Sequence, residues 1–435
     1  MTRPNRPTGR SALASALAPI VVLALAACSA SSATSSPPSS ATPSTNPTSG
    51  PSAPPSTTPT IAPTSAPPSA VASTAEGWRR VPTQAALDAV QLEQVVWTGS
   101  QFLGFGTTDA GGTILASPDG SAWHLQAVLP GDVGIGGLAV DAAGRLVAVG
   151  SSGSSARSWT STDAVDWTAS PTSSSLAPAA GDSLGMSAVV ATANGWLAVG
   201  GERSPCTVDC DGAVVRAVAW TSTDGLHWTR QPGSTSLDRA TMNDVVPGGP
   251  GFIAVGLAPD HPGSTTAVAI HAVVWTSSDG TAWSRVPDAS LFHAPSGTDQ
   301  QFGDSMQSVT VADGRIVAVG LVGTQDAVGS AVAWWSTDGR TWSRSSGERF
   351  PYGQMFHVTA VPGGFLATGP SGPDSCLGGI WQSADGASWA CVAADPAFVS
   401  FAAYAAAASP TVEVVVGLGD TSVSLGTVAW VRSLP

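Results

Sequence analysis

Phe252-Ile-Ala-Val-Gly256 and, twenty-one residues on, Ser277-Ser-Asp-Gly-Thr-Ala-Trp283 together state the unit from which this chain is built. The first segment is an apolar strand that stops at a glycine. The second is a tight turn between two strands. An Asp side chain accepts turn N–H groups, Gly takes a positive φ at no steric cost, and the Trp buries a large apolar face. Outward from this pair the same unit recurs in both directions. The first half ends at Gly106, Gly150, Gly200, Gly256, Gly320, Gly369 and Gly417, seven copies in all. The second half appears six times, around Asp119, Asp163, Asp224, Asp279, Asp338 and Asp385. Ala164 stands where the other five copies have Gly, so that turn is expected to differ in type.

The heptapeptides Ser117-Pro-Asp-Gly-Ser-Ala-Trp123, Ser222-Thr-Asp-Gly-Leu-His-Trp228 and Ser336-Thr-Asp-Gly-Arg-Thr-Trp342 resemble the Asp-box of sialidase-like β-propellers. Six boxes in phase across residues 76–435 imply an all-β ring of four-stranded antiparallel blades. Seven closing glycines give seven blades. The last blade shows inner strands near Phe401 to Gly417 and a third strand at Thr427 to Val431, then the sequence stops without a box. Gly77-Trp78-Arg-Arg-Val-Pro82 looks like the segment that follows a box, so the N-terminal strand is expected to complete blade seven. Such closure removes exposed sheet edges.

Residues 1–27 read as an export signal. Arg3, Arg6 and Arg10 precede an apolar stretch from Ser11 to Ala27, which ends in Leu25-Ala26-Ala27-Cys28. The Cys after small residues resembles a bacterial lipobox, which implies cleavage before Cys28 and its acylation. Residues 28–75 are almost wholly Ser, Thr, Pro and Ala, without charge or aromatic side chains. Such a segment cannot offset its chain entropy by burial and is expected to be a disordered tether. The expected location is the extracytoplasmic face of the cell membrane, held by lipid alone. The 435-residue chain contains no Lys, and its net charge is −13 at neutral pH, which argues against binding a nucleic-acid backbone. Only 11% of residues are charged, against about 25% in an average soluble domain, too few to solvate a mostly helical surface.

The repeat accounts for most of the unusual residues. Six Trp close the boxes and Trp78 takes the seventh equivalent place; Trp159, Trp220, Trp275, Trp334, Trp381 and Trp430 sit on third strands. Met186, Met242, Met306 and Met355 each stand fourteen residues before a closing glycine, with Leu92, Gly136 and Ala403 as counterparts. They read as packing rather than as a ring for a soft metal. Cys206, Cys210, Cys376 and Cys391 are an even set in an exported chain, pointing to disulfides with three formal pairings. Cys376 and Cys391 bracket the sixth box. Cys206 and Cys210 would then pin one loop, with zinc as the rival reading of that pair.

Sialidases of the resembled family use an arginine triad, a Tyr nucleophile with a Glu partner, and an Arg-Ile-Pro motif. No Arg-Ile-Pro occurs here, and only Tyr352 and Tyr404 could act as nucleophile. Glu348, Arg349 and Tyr352 lie together in the loop entering blade six, and Glu93 starts an inner strand. The resemblance puts Asp-boxes on the face opposite a ligand site, so ligand-facing loops are those that enter inner strands and those after the closing glycines. Asp182, Asp244, Asp304, His293 and His357 are the polar candidates in or near those loops. No metal or cofactor is expected. The sequence favours a monomeric, non-catalytic module that binds an extracytoplasmic protein or glycan. A sialidase-type exo-glycoside hydrolase is the alternative. A scaffold resembling the Asp-box propellers that help assemble photosystem II is a weaker one.

Overall fold

The computed structural model describes residues 77–434, apart from 109, 131–132, 206–214, 260–269, 288, 294–303, 325–326, 348–349, 351–352, 371–375, 393–397, 399–400 and 421–424. Cys28, Cys206, Cys210, Glu348, Arg349 and Tyr352, with the signal and tether, lie outside the described residues. The rest is seven antiparallel blades. Their innermost strands are Gln91–Trp97, Val133–Val140, Ser183–Thr192, Thr241–Gly248, Asp304–Ala312, His357–Val361 and Phe401–Ala408. Each lies against the innermost strand of the next blade, and the last lies against the first, so the ring is closed. Trp78–Arg80 forms the outer strand of blade seven beside Leu425–Ser433, with Arg80 opposite Trp430. Blade six carries a fifth, parallel strand, Ser346–Gly347, at its outer edge.

Why each second strand ends in glycine is visible in the register. In six blades the innermost strand has a β-bulge, where two residues oppose one: Leu92/Gln94, Ile135/Gly137, Met186/Ala188, Met242/Asp244, Met306/Ser308 and Ala403/Ala405. The bulge drives a backbone carbonyl of the innermost strand onto the closing glycine. A Cβ there would lie 1.9 Å from the oxygen of Gln91 at Gly106, 1.8 Å from that of Ser305 at Gly320 and 2.1 Å from that of Gly185 at Gly200. In blade two the residue opposite the closing Gly150 is Ile135, not Gly136. The reason is the longer hairpin at Asp141–Arg145, which shifts the count by one.

The six Ser-x-Asp turns share one hydrogen-bond set. The Asp Oδ1 accepts the N–H groups of the second and third residues after it, at 2.7 to 3.2 Å. The Trp indole N–H donates to the carbonyl of the turn residue at 2.7 to 3.1 Å. Each turn also docks onto the preceding blade. Gly120 abuts Val414, Gly225 abuts Val147, Gly339 abuts Ile253 and Gly386 abuts Val317. Ala164 does not change the turn type, contrary to expectation. Its φ is 65°, within the same left-handed region as the glycines, and its methyl is buried with Leu103 and Phe105 of blade one. Packing against a neighbouring blade offsets a conformational cost of about 1 kcal/mol.

The apolar core is divided among the interfaces between adjacent blades rather than gathered at the centre. Leu92 and Val95 of blade one pack with Val414 and Val416 of blade seven, and Met242 and Trp275 pack with Leu197 and Val199 of blade three. All four Met counted above are fully buried, in different interface clusters, so they form no common ring. Cys376 and Cys391 form a disulfide across the outer half of blade six, with Cα atoms 5.5 Å apart.

Two outcomes test this account. Gly256→Ala, whose Cβ would meet the Thr241 carbonyl at 1.9 Å, is expected to cost at least about 3 kcal/mol in urea unfolding. Gly314→Ala, with nothing within 4 Å and φ of +73°, should cost only about 1 kcal/mol. The paired substitution Cys376→Ser with Cys391→Ser opens a loop with a sequence separation of 15. It is expected to lower stability by about 3 kcal/mol in the same urea unfolding measurement.

Candidate functional site

The bulges do more than accommodate glycine. Between Leu92 and Gln94 the extra residue is Glu93, and the corresponding residues are Gly136, Ser187, Asn243, Gln307 and Tyr404. Phe356 takes this place in blade six, following Met355. Because the innermost strands line the axis, these seven residues form one tier of a ring around the channel. Innermost strands begin at the end opposite the Ser-x-Asp turns, so the ring lies toward the face of the loops that enter the blades.

Bonds between neighbouring blades fix the register of this tier. Gln94 Nε2 donates to the Gly136 carbonyl at 2.6 Å, and Asn243 Nδ2 to that of Met306 at 2.8 Å. The Phe356 and Tyr404 rings stand 6.3 Å apart, tilted by 42°. Glu93 is the next side chain round the ring from Tyr404; burial, and after it the charge of Glu93, raises the Tyr404 phenol above its usual range. Glu93 itself is pushed up to about 7 by burial. It keeps some accessible surface, but burial leaves too little water around it to solvate the charge fully. No hydrogen bond or ion pair joins Glu93 to the other described residues.

One residue further along each strand, a second set points across the blade interfaces. Asp244 Oδ2 accepts the Ser308 hydroxyl and the Val309 N–H, both at 2.9 Å, and Ser308 Oγ in turn accepts the Val358 N–H at 3.3 Å. Burial raises Asp244 to about 6 against the pull of those donors. His357 Nδ1 faces the Ala406 N–H at 3.5 Å, and burial lowers its pKa to about 4, so it is neutral at neutral pH. These side chains lace blades four to seven together.

The remaining sequence candidates scatter. Asp304 is fully buried and lies 3.1 Å from Arg344, which also sits over the Trp334 ring. His293 stacks on His271 with ring centres 4.8 Å apart. Asp182 donates its N–H to the Ala179 carbonyl at the entry to blade three. The Asp residues of the turns are spent on their own backbone; the N–H groups of Thr341 and Arg340 hold the Asp338 carboxyl at about 2. Among the described residues no three His, Cys, Asp or Glu side chains gather closely enough to hold a metal ion. Two grooves lie outside the channel. One of about 370 Å³ is bordered by Glu413 and Arg432, which pair with each other, and one of about 380 Å³ by the pair Glu202 and Arg230.

Sequence reasoning found Glu93 and Tyr404 separately and missed that they are neighbours on one ring. The signal was present: outside blade two, the ring residue stands thirteen positions before each closing glycine.

The raised pKa of Glu93 has a consequence for stability. A carboxyl whose folded pKa exceeds its unfolded value near 4.5 binds more protons when folded, so its contribution is lost as pH rises through about 7. Glu93→Gln is therefore expected to raise the unfolding temperature relative to wild type at pH 8. That gain should shrink toward zero below pH 4.5 in a pH series of thermal unfolding curves.

No protein-family model matches this chain, and no curated protein does. Solved structures do. "YCF48 bound to D1 peptide" superposes with a TM-score of 0.47 at 13% identity, over 82% of this chain and 96% of that one. A Trypanosoma rangeli sialidase with the inhibitor DANA gives 0.40 at 11% identity, over 82% of this chain and 59% of that one. The WD40 β-propeller domain of Doa1 gives 0.46 at 11% identity, over 81% and 96%.

Proposed function

We propose that this protein is a lipid-anchored, extracytoplasmic β-propeller that recognises an envelope or extracellular protein or glycan without transforming it. Acylation at Cys28 fixes the chain to the membrane surface, and the Ser/Thr/Pro-rich segment 28–75 holds the propeller away from it. The observation that carries recognition is how the chemically capable residues are disposed. All six repeat Asp carboxylates are closed on turn N–H groups, and most of the sixteen Trp are buried between blades. The channel tier is left as a set of polar and aromatic side chains held by backbone geometry: Glu93, Ser187, Asn243, Gln307, Phe356 and Tyr404. A preformed tier of this kind suits binding, because its groups lose little freedom on contact.

One observation favours a second reading. Tyr404 and Glu93 are electrostatic neighbours at the channel, the residue types of a sialidase nucleophile and its partner. Turnover of a panel of aryl sialosides and neutral aryl glycosides by residues 76–435 separates the two. The expected result is no release above background, although enzymes accelerate such reactions by about 10⁶-fold or more. Turnover abolished by Tyr404→Phe or Glu93→Gln would replace recognition by glycoside hydrolysis. For the anchor, mass spectrometry of the chain expressed with its signal should show acyl groups on Cys28, absent in Cys28→Ser.

A further inference from the structure

Among the described residues the channel tier has one charge and no counter-charge. None of the seventeen Arg stands at a tier position or at the position after it, and His357, which does, is neutral at pH 7. Of the charged side chains described on the strands packed against Gln91–Trp97, Glu413 and Arg432 close on each other at the blade-seven groove. The short helix Ala85–Asp88 packed against the same strand adds a further acid, Asp88, and no cation; at the tier itself the titratable neighbour is Tyr404. Next round the ring stands Phe356, an aromatic side chain that keeps accessible surface on a tier otherwise polar or glycine. On the other side of Glu93 the tier position is Gly136, which brings no side chain.

We propose that Glu93, Tyr404 and Phe356 form a binding site for an organic cation, a guanidinium or alkylammonium group. This rests on the recognition reading above and names its ligand class. The chemistry is that of a carboxylate beside aromatic rings. The carboxylate supplies the charge, and the ring faces attract a cation while shedding little water of their own. A carboxylate held away from bulk water without a partner is costly, and an entering cation relieves that cost. A hard metal ion suits the place poorly, since Ca²⁺ takes six to eight oxygen ligands, whereas two of the three groups here are rings. The acidic chain, at −13, draws cations toward the channel over long range.

The test uses n-butylguanidinium and n-butylammonium as probes and n-butylurea as the uncharged match, titrated calorimetrically into residues 76–435 at pH 8 and low salt. Both cations are expected to bind and the urea is not. Glu93→Gln should weaken the cations at least about tenfold, and Phe356→Leu about threefold or more. Tyr404→Phe, which keeps the ring, should stay within about twofold. Wild-type affinity should fall as pH drops below 7, while the residual binding of Glu93→Gln should not change. Thermal unfolding of each variant reports that it is folded. A second arm compares a short peptide bearing one Arg with its citrulline counterpart. Discrimination as large as for the free probes identifies a partner's side chain as a source of the cation, and binding of the free amines alone identifies a small solute. Equal affinity for the urea, unchanged affinity in Glu93→Gln, or no cation binding would each overturn the site. Those results leave the recognition reading standing, whereas glycoside turnover overturns that reading without bearing on cation affinity.

Discussion

The contact on which the rest depends is that between the bulged innermost strand and the glycine that closes the second strand. At Gly106, Gly150, Gly256, Gly320 and Gly417, as at Gly200, the carbonyl before the bulge lies where a Cβ would be, and at Gly369 the Gln354 carbonyl does. The close approach does two things at once. It lets the strand pair keep its ladder on both sides of the extra residue, and it takes that residue out of the strand's regular alternation. Without the glycine there is no room for the bulge, and in six of the seven blades the bulge supplies the tier residue. Structure and candidate site therefore share one cause.

The outer half of each blade solves a different problem. A ring of separate sheets has no single core, so every blade must hold its neighbour. The Ser-x-Asp turn does this by satisfying its own backbone through the Asp carboxylate and pressing its glycine onto a second-strand side chain of the preceding blade, as Gly280 does onto Leu197. The Trp indole then ties the end of the turn to its apex. Outer arginines add to this by lying over indole faces, as Arg285 does over Trp275 and Arg432 over Trp78. The aromatic wealth of the chain thus belongs largely to the joints between blades, where most of the Trp side chains are buried.

Charge around the channel follows from depth rather than from pairing. Glu93 and Asp244 are raised and His357 is lowered, each because burial disfavours the ionised form. Asp244 is held by donors from blade five, which makes it part of the ring's fabric. Glu93 has no such partner among the described residues, and that difference separates a structural carboxylate from one available to a ligand.

Fold class, blade number and closure were legible in the sequence, because a repeat writes the same local physics at fixed intervals. The closing glycines, the six turns and Trp78 as the stand-in for a seventh could be placed by counting. The single counterpart misplaced, Gly136 for Ile135, shows the limit of counting where a hairpin lengthens. The tolerance of Ala164 was not legible either: propensity at a turn is local, whereas its methyl is held by Leu103 and Phe105 of another blade. The tier itself required tertiary structure. Glu93 and Tyr404 are separated by almost the whole ring in sequence, and only its closure makes blade seven the neighbour of blade one. The sequence alone determined which residues build the blades. The tertiary structure decided which of them become neighbours on one tier, because that depends on the register of each innermost strand and on which ends the ring joins.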